Sequence, residues 1–255
     1  MDKLFPQMYD RPEPRPIGVS LVYWFAFVVG LPSLMNIFLV QTVASRDYSG
    51  TSWIIMLFCV VNFIAMVLTY REYLREAFIN VRYDVKKFLL TVILALALLL
   101  LAYLAVFVAA LVADYGALKE DLLYMLPFAE LPMLLIPMSV LETHPLLGAV
   151  CMVVIVPVSM CCLYYATAFA PFGGNRPWLG YLAVIVLSGV PRLVGLTSTG
   201  WQEHQLILFL LQLPWHLICC WAYQKADTVW APICVHAAAN LIGCMIWPVL
   251  LSFLL

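Results

Sequence analysis

Two polar residues, His236 and Asn240, stand four positions apart in the last long hydrophobic stretch of this chain. In an α-helix this spacing places the imidazole and the amide on one face, one turn apart. An imidazole can hold a water molecule or accept a proton, and an amide can stabilise an oxyanion. Because polar groups at membrane depth are costly, they usually face the interior of a helix bundle and mark functional positions. The pair is therefore the leading candidate for chemistry.

Arg192 is the second strongly polar residue inside an apolar segment. A guanidinium keeps its proton in proteins, so it must be paired, face water or reach the membrane surface. Its possible partners are Glu130 and the carbonyls that Pro191 leaves without a donor. The alternative is that Arg192 extends to the nearby end of its segment at Gly195.

The other three histidines have structural explanations. His144 lies in a short polar loop, and His204 follows Glu203 at the start of a segment, where a side chain at the membrane interface is ordinary. His216 comes two residues after Pro214. A proline inside a helix frees a carbonyl one turn back, and a buried imidazole can satisfy it.

The composition is that of a membrane protein. Of 255 residues, 65% are hydrophobic and 11% are charged, and the mean hydropathy is +1.00. A soluble domain is about half apolar and about a quarter charged. The net charge of −1 and the lack of a basic patch give no sign of nucleic-acid binding. The cysteines lie in apolar segments without a CxxC pair, and a His–Asn pair with one arginine is a poor metal site, so no metal or cofactor is expected.

Eight apolar runs are long enough to cross a bilayer, which takes about 20 residues each. They predict an all-α polytopic protein with about eight transmembrane helices in one bundle, the single transmembrane domain covering residues 19–255. Residues 1–18 are polar and predict a cytoplasmic N-terminal tail. The fourth run is interrupted by prolines and Glu130, and a broken helix is tolerated only where protein buries it. The predicted spans are Val19–Ala44, Ser52–Tyr70, Phe88–Ala113, Tyr124–Leu141, Leu146–Ala170, Trp178–Gly195, Gln205–Tyr223 and Val229–Leu254.

The basic residues predict that both termini are cytoplasmic. The tail carries three Lys or Arg residues and the Arg71–Lys87 connection carries five, which places eight on one side against four on the other. In that connection Tyr73, Leu74, Ala77, Phe78 and Val81 alternate with charges. It reads as an amphipathic helix at the membrane surface, or as a connecting loop that is attracted to anionic lipid.

The run from Tyr223 to Asn240 resembles the third motif of the CAAX prenyl protease and bacteriocin-processing (CPBP) family of intramembrane proteases. The motif is a tyrosine, a short polar turn, then a Trp-Ala-Pro sequence followed by His and Asn four residues apart, here Trp230-Ala-Pro232, His236 and Asn240. The resemblance covers roughly residues 146–255. It implies an eight-helix fold in which catalytic residues activate a water against a peptide bond, with the His–Asn pair holding that water or stabilising the oxyanion.

The resemblance implies two more motifs upstream, and this chain departs from both. A Phe-x-x-x-His motif on the sixth span falls on Ser188 and Arg192. A Glu-Glu-x-x-x-Arg motif on the fifth span falls on a stretch that contains Ser159 and Met160. Arginine cannot act as a general base, and neither serine nor methionine replaces a buried carboxylate. The fifth, sixth and eighth spans are nevertheless expected to bring these positions together, with Arg192 and His236 less than about 15 Å apart.

The sequence therefore predicts a CPBP-like pseudoprotease that binds a peptide or membrane-protein partner in the lipid bilayer without cleaving it. One alternative is an active endopeptidase that pairs His236 with a relocated carboxylate, Glu130 or Glu203. Together with Glu142, these are the glutamates in or near the second half of the chain. Burial of Glu130 near His236 would favour this alternative. The other alternative is a transporter or a transporter subunit, which a continuous path through the bundle would favour.

Overall fold

The computed structural model describes residues 12–26, 49–112, 144–172, 176–199 and 203–242, and all of the secondary structure in these ranges is helical. This confirms the predicted all-α class. We number eight helices in chain order. They are α1 Pro14–Trp24, α2 Ser49–Thr69, α3 Arg71–Tyr83, α4 Val85–Val112, α5 over residues 145–169, α6 Pro177–Thr199, α7 Glu203–Ala226 and α8 Trp230–Leu241.

These helices are not one-to-one with the predicted spans. The helix α3 falls in a predicted connection, and the predicted span Tyr124–Leu141 lies outside the described residues. In the part of the chain that is described, two helical segments are long and apolar enough to cross a membrane, Val85–Ala105 in α4 and Leu146–Phe169 in α5. Two shorter apolar helical segments are Cys59–Thr69 and Pro177–Val190. Eight spans in a single bundle remain a prediction.

The helix α5 is the centre of the fold. Its side chains are buried almost without interruption from Ile155 to Ala170, as expected of a helix that is apolar on all sides. It packs against α1, α2, α6 and α8. Its backbone alternates between α and π geometry, in the segments Pro145–Val150, Cys151–Ile155, Val156–Cys161 and Cys162–Phe169.

The helix α3 fixes the start of α8. The apolar side of α3 buries Tyr73, Leu74 and Ala77. The indole nitrogen Nε1 of Trp230 donates to the Leu74 carbonyl at 2.9 Å, and the Thr228 hydroxyl donates to the Ala77 carbonyl at 2.9 Å. The hydroxyls of Tyr73 and Tyr223 are hydrogen-bonded to each other. These contacts hold the short turn between α7 and α8, and thereby the entry of the helix that carries His236.

The contact between α5 and α6 depends on the absence of a side chain at Gly180. A Cβ atom there would lie 2.7 Å from Cδ2 and 3.0 Å from the carbonyl oxygen of Phe169, and the latter is backbone. We expect Gly180→Ala to lower the stability by about 1–3 kcal/mol through overpacking. The control is Gly18→Ala in α1, where nothing lies within 4 Å.

The measurement is thermal unfolding in detergent. A thiol-reactive dye detects the unfolding, because it reacts with buried cysteines such as Cys161, Cys162 and Cys219 when they become exposed. Gly18→Ala should leave the unfolding midpoint unchanged or raise it, because alanine is the better helix former. A midpoint for Gly180→Ala equal to that of Gly18→Ala would contradict the tight α5–α6 contact.

Candidate functional site

His236 is buried in the interior, as predicted for a polar side chain in an apolar helix. It lies in the second turn of α8, and its side chain is 1% exposed. The indole ring of Trp215 on α7 meets the imidazole edge to face, with ring centroids 4.9 Å apart and an interplanar angle of 78°. This geometry is favourable for two aromatic rings and fixes the orientation of the imidazole.

A second buried imidazole, His216, belongs to the same region. Its chain neighbour Trp215 is the residue that contacts His236, and its own Nδ1 lies 3.2 Å from the hydroxyl of Tyr165 on α5. The ring of Tyr164 also packs edge-on against the imidazole of His216, with ring centroids 5.2 Å apart. The structure gives the Tyr165 hydroxyl as the partner of Nδ1, and the predicted contact of His216 with a carbonyl near Pro214 stays a prediction. We call Tyr165, Trp215, His216 and His236 the imidazole cluster.

Asn240 completes the face that begins with His236, but its amide serves the backbone of α5. Its Nδ2 donates to the carbonyl of Met152 at 2.8 Å. The reason lies in the π geometry of that stretch, where the N–H of Val156 bonds to the carbonyl of Cys151, five residues back. The next bond in this register would join Pro157 to Met152, and proline has no N–H. Asn240 supplies the missing donor.

The side-chain oxygen of Asn240, unlike its nitrogen, is not used in a hydrogen bond to another of the described helices. Oδ1 is buried and has no hydrogen-bond partner within the described part of the chain. A buried polar atom of this kind can accept a hydrogen bond from a ligand or a water molecule. One of the two Nδ2 hydrogens is also not used by Met152. The pair can therefore still bind a small polar group, although one donor is committed to structure.

The predicted first-motif positions lie in α5, and the segment that carries them contacts α8 as expected. Ser159 and Met160 are both buried. The Ser159 hydroxyl donates to the carbonyl of Ile155 one turn back at 2.7 Å, so it satisfies its own helix. Neither residue offers a carboxylate or any other group that takes up a proton at neutral pH.

The predicted second-motif positions lie in α6, which packs against the C-terminal part of α5 and against α7. The hydroxyl of Ser188 donates to the carbonyl of Ile185 at 3.1 Å, again within its own helix. Arg192 belongs to α6, but its side chain lies outside the described residues. The expected proximity of Arg192 to His236 therefore stays a prediction.

The carboxylates predicted as alternative acids lie at or beyond the limits of the described structure. Glu130 and Glu142 fall outside it, and Glu203 is the first residue of α7, with a side chain that is not described. Within the described ranges, no group of three or more His, Cys, Asp or Glu side chains is arranged to hold a metal ion.

The sequence interpretation missed the role of Trp215, His216 and Tyr165, although one signal was available for His216. The helices α7 and α8 form a hairpin around the turn at residues 227–229. His216 precedes Asp227 by eleven residues, and Asn240 follows Val229 by eleven, so hairpin symmetry places them at one depth. Nothing in the sequence marks Tyr165 among the many apolar residues of α5.

The arrangement is a closed set of aromatic and imidazole side chains beside a partly satisfied amide. Its acceptor that is unpaired among the described residues, Oδ1 of Asn240, is buried and can bind a small hydrogen-bonding group such as a water molecule. Its predicted acid and base positions are filled by side chains without proton-transfer capacity. Compared with models of protein families, with curated proteins and with solved structures, the chain matches none.

Proposed function

We propose that the chain is a multi-pass membrane protein related to the CPBP intramembrane proteases, and that it binds a peptide or membrane-protein partner without hydrolysing it. In this proposal the helices cross the bilayer several times, and the turn between α7 and α8 lies on the same membrane face as α3, to which Asn80 and Thr228 join it by hydrogen bonds. This differs from the eight-span topology predicted from the sequence, which places the Arg71–Lys87 connection and this turn on opposite sides of the membrane. The support for the proposal is the two apolar segments of membrane length, Val85–Ala105 and Leu146–Phe169, and the burial of His236 and Asn240 on one helix.

The observation that carries the proposal is the commitment of the motif side chains to packing. Trp215 holds the ring of His236 at 4.9 Å, and the amide of Asn240 donates to the Met152 carbonyl. A peptidase needs a base within hydrogen-bond reach of an attacking water and a free donor for the oxyanion. Here these groups stabilise the joint between α5, α7 and α8, so the motif has a structural use that does not need catalysis.

Binding without cleavage is compatible with the same residues. The buried acceptor Oδ1 of Asn240, unpaired within the part of the chain that is described, and the remaining N–H of the same amide would pair with a peptide backbone that enters between the helices. Amide pairing in an apolar surrounding is favourable, because an unpaired backbone group there is costly. A peptide held in this way would remain intact, since no carboxylate stands at the Ser159 or Met160 position.

The second candidate function is the active endopeptidase, and the second imidazole favours it. His216 is the chain neighbour of Trp215, whose ring packs against His236, so two imidazoles lie in the same buried region. Two imidazoles could share the proton transfers that the family divides between histidine and glutamate. This candidate also requires Glu130 or Glu203 to reach the cluster.

We test the binding proposal with the full-length protein in lipid nanodiscs and two photoreactive probes, a farnesylated CAAX peptide and a leader peptide. At least one probe should bind saturably. His236→Ala should weaken that binding by less than about tenfold, a change of about 1.4 kcal/mol, because the ring mainly packs on Trp215. The matched control is His144→Ala, which replaces an exposed histidine at the start of α5 and should bind as the wild type does.

Two outcomes would contradict the proposal. If neither probe bound saturably, the proposal that the protein binds a peptide would be wrong. Loss of binding by more than about a hundredfold in His236→Ala, with an unchanged unfolding midpoint, would make the imidazole the main contact to the ligand and favour a catalytic role.

A further inference from the structure

The outward face of α3 carries a stripe of arginines. At 100° per residue, Arg71, Arg75 and Arg82 fall within about 40° of one another on the helix, and all three side chains are exposed. The acids Glu72 and Glu76 fall on a separate stripe, about 100° further around. The face opposite the two stripes is the buried one, which includes Leu74 and Ala77. We call Arg71, Arg75 and Arg82 the arginine stripe.

Large apolar side chains border the arginine stripe. Phe78 is 41% exposed and Ile79 is 60% exposed, and they flank the stripe on its two sides. Tyr83 is 91% exposed and falls on the acidic stripe, at the end of α3. The guanidinium of Arg82 lies 5.1 Å from the centre of the Phe78 ring. Exposed aromatic and aliphatic groups beside arginines are typical of helices that lie in the boundary between lipid head groups and acyl chains.

The position of α3 along the chain puts it at that boundary. It ends at Tyr83, and the apolar segment of α4 begins at Val85. That segment has 21 residues, which at 1.5 Å per residue span about 31 Å, the thickness of the hydrocarbon core. If α4 crosses the bilayer, its first turn lies at the head-group level. The preceding helix must then lie at the same level.

We propose that the arginine stripe binds the anionic head groups of the bilayer in which the chain lies. This rests on the membrane placement in the proposed function and adds a lipid class to it. The occupant follows from charge complementarity, because guanidinium groups pair with phosphate oxygens in bidentate geometry. Phe78 and Ile79 enter the acyl boundary beside them. The acidic stripe lies away from the lipid phosphates.

The bound lipid is coupled to the candidate site through the opposite face of α3. Leu74 and Ala77 accept hydrogen bonds from Trp230 and Thr228, and the side-chain amide of Asn80 donates to the Asp227 carbonyl at 3.0 Å. Asp227 has a positive φ of 54°, so the turn between α7 and α8 is held in a conformation that few residues adopt. A shift of α3 toward the head groups therefore moves the first turn of α8, six residues before His236.

The test compares phosphatidylglycerol with phosphatidylcholine as ligands of the full-length protein in detergent micelles. Each lipid is titrated, and the rise in the unfolding midpoint gives its apparent affinity, since a ligand of the native state stabilises it. Each arginine near an anionic surface contributes roughly fivefold, so three give on the order of 100-fold preference for phosphatidylglycerol. Arg71→Gln, Arg75→Gln and Arg82→Gln combined should abolish most of it. The matched control, Glu72→Gln with Glu76→Gln, should keep it.

A second measurement on the wild type does not depend on any variant folding. Raising the NaCl concentration from about 0.05 to about 0.5 M should reduce the preference at least severalfold, because salt screens exposed charges. Equal stabilisation by both lipids would overturn the proposal, as would an equal loss in the glutamate control. Lipid-independent dimerisation that the arginine substitutions abolish would assign the stripe to a second copy of the chain. Failure of peptide binding alone leaves the lipid preference intact, so the two proposals fail separately.

Discussion

Farnesylated CAAX peptides and leader peptides are expected to remain intact after prolonged incubation with the full-length protein in nanodiscs. Hydrolysis of a peptide bond needs a base to take the proton of the attacking water and a donor to stabilise the oxyanion. The positions that the CPBP resemblance predicts for two glutamates hold Ser159 and Met160, and the position that it predicts for a histidine holds Arg192. Ser159 donates its hydroxyl to its own helix at Ile155. Turnover should therefore be below detection.

The size of the deficit follows from general rate arguments. A positioned general acid or base contributes about 10²–10⁴-fold. Enzymes reach rate enhancements of at least about 10⁶-fold. A lone imidazole such as His236 thus leaves a shortfall of two orders of magnitude or more. The measurement is mass spectrometry of both peptides over a day, with the wild type, His236→Ala and an empty nanodisc in parallel.

Cleavage would be informative about the acid. A product that disappears in both His236→Ala and Glu130→Gln would refute the pseudoprotease proposal and place a relocated carboxylate in the fourth predicted span. A product that disappears only in Glu203→Gln would implicate the start of α7. A product formed equally by the wild type and His236→Ala would point to a contaminating peptidase, and the expectation of no turnover would stand.

Composition and hydrophobic patterning were sufficient for the fold class and for most helices. The predicted spans Ser52–Tyr70 and Gln205–Tyr223 lie close to α2 and α7. The His236–Asn240 spacing correctly predicted that both side chains are buried on one helix face. These successes rest on local information, because helical period and apolar content are written in consecutive residues.

The remaining features depend on contacts between distant parts of the chain. The hydrogen bonds from Thr228 and Trp230 to α3 join residues 151 and 156 positions apart, and no local pattern encodes them. The contact between His216 and the Tyr165 hydroxyl could not be predicted from the sequence around Pro214, because Tyr165 approaches from another helix. The role of Asn240 was assigned to chemistry, since Pro157 in the sequence gives no sign that α5 uses π geometry.

Asn240→Ala is expected to cost about 1–3 kcal/mol of unfolding free energy, because it leaves the buried Met152 carbonyl without a donor. Asn240→Asp should cost more, about 3–5 kcal/mol, since a buried carboxylate would face that carbonyl without a compensating charge. Both values are measured by unfolding in mixed micelles of sodium dodecyl sulfate and dodecyl maltoside, with the reaction of the buried cysteines as the readout. These are the largest stability effects that we expect at the candidate site.

The cause of this effect can be isolated by changing Pro157. Pro157→Ala restores an N–H that can bond to Met152 in the π register, so Asn240→Ala should cost at least about 1 kcal/mol less in that background. Ser188→Ala is the matched control, because its hydroxyl also serves a helix carbonyl, that of Ile185, but on α6. Its cost should be the same in the wild-type and Pro157→Ala backgrounds, within about 0.5 kcal/mol. An equal cost of Asn240→Ala in both backgrounds would show that its amide does not replace the missing proline donor, and would return Asn240 to the residues available for a ligand.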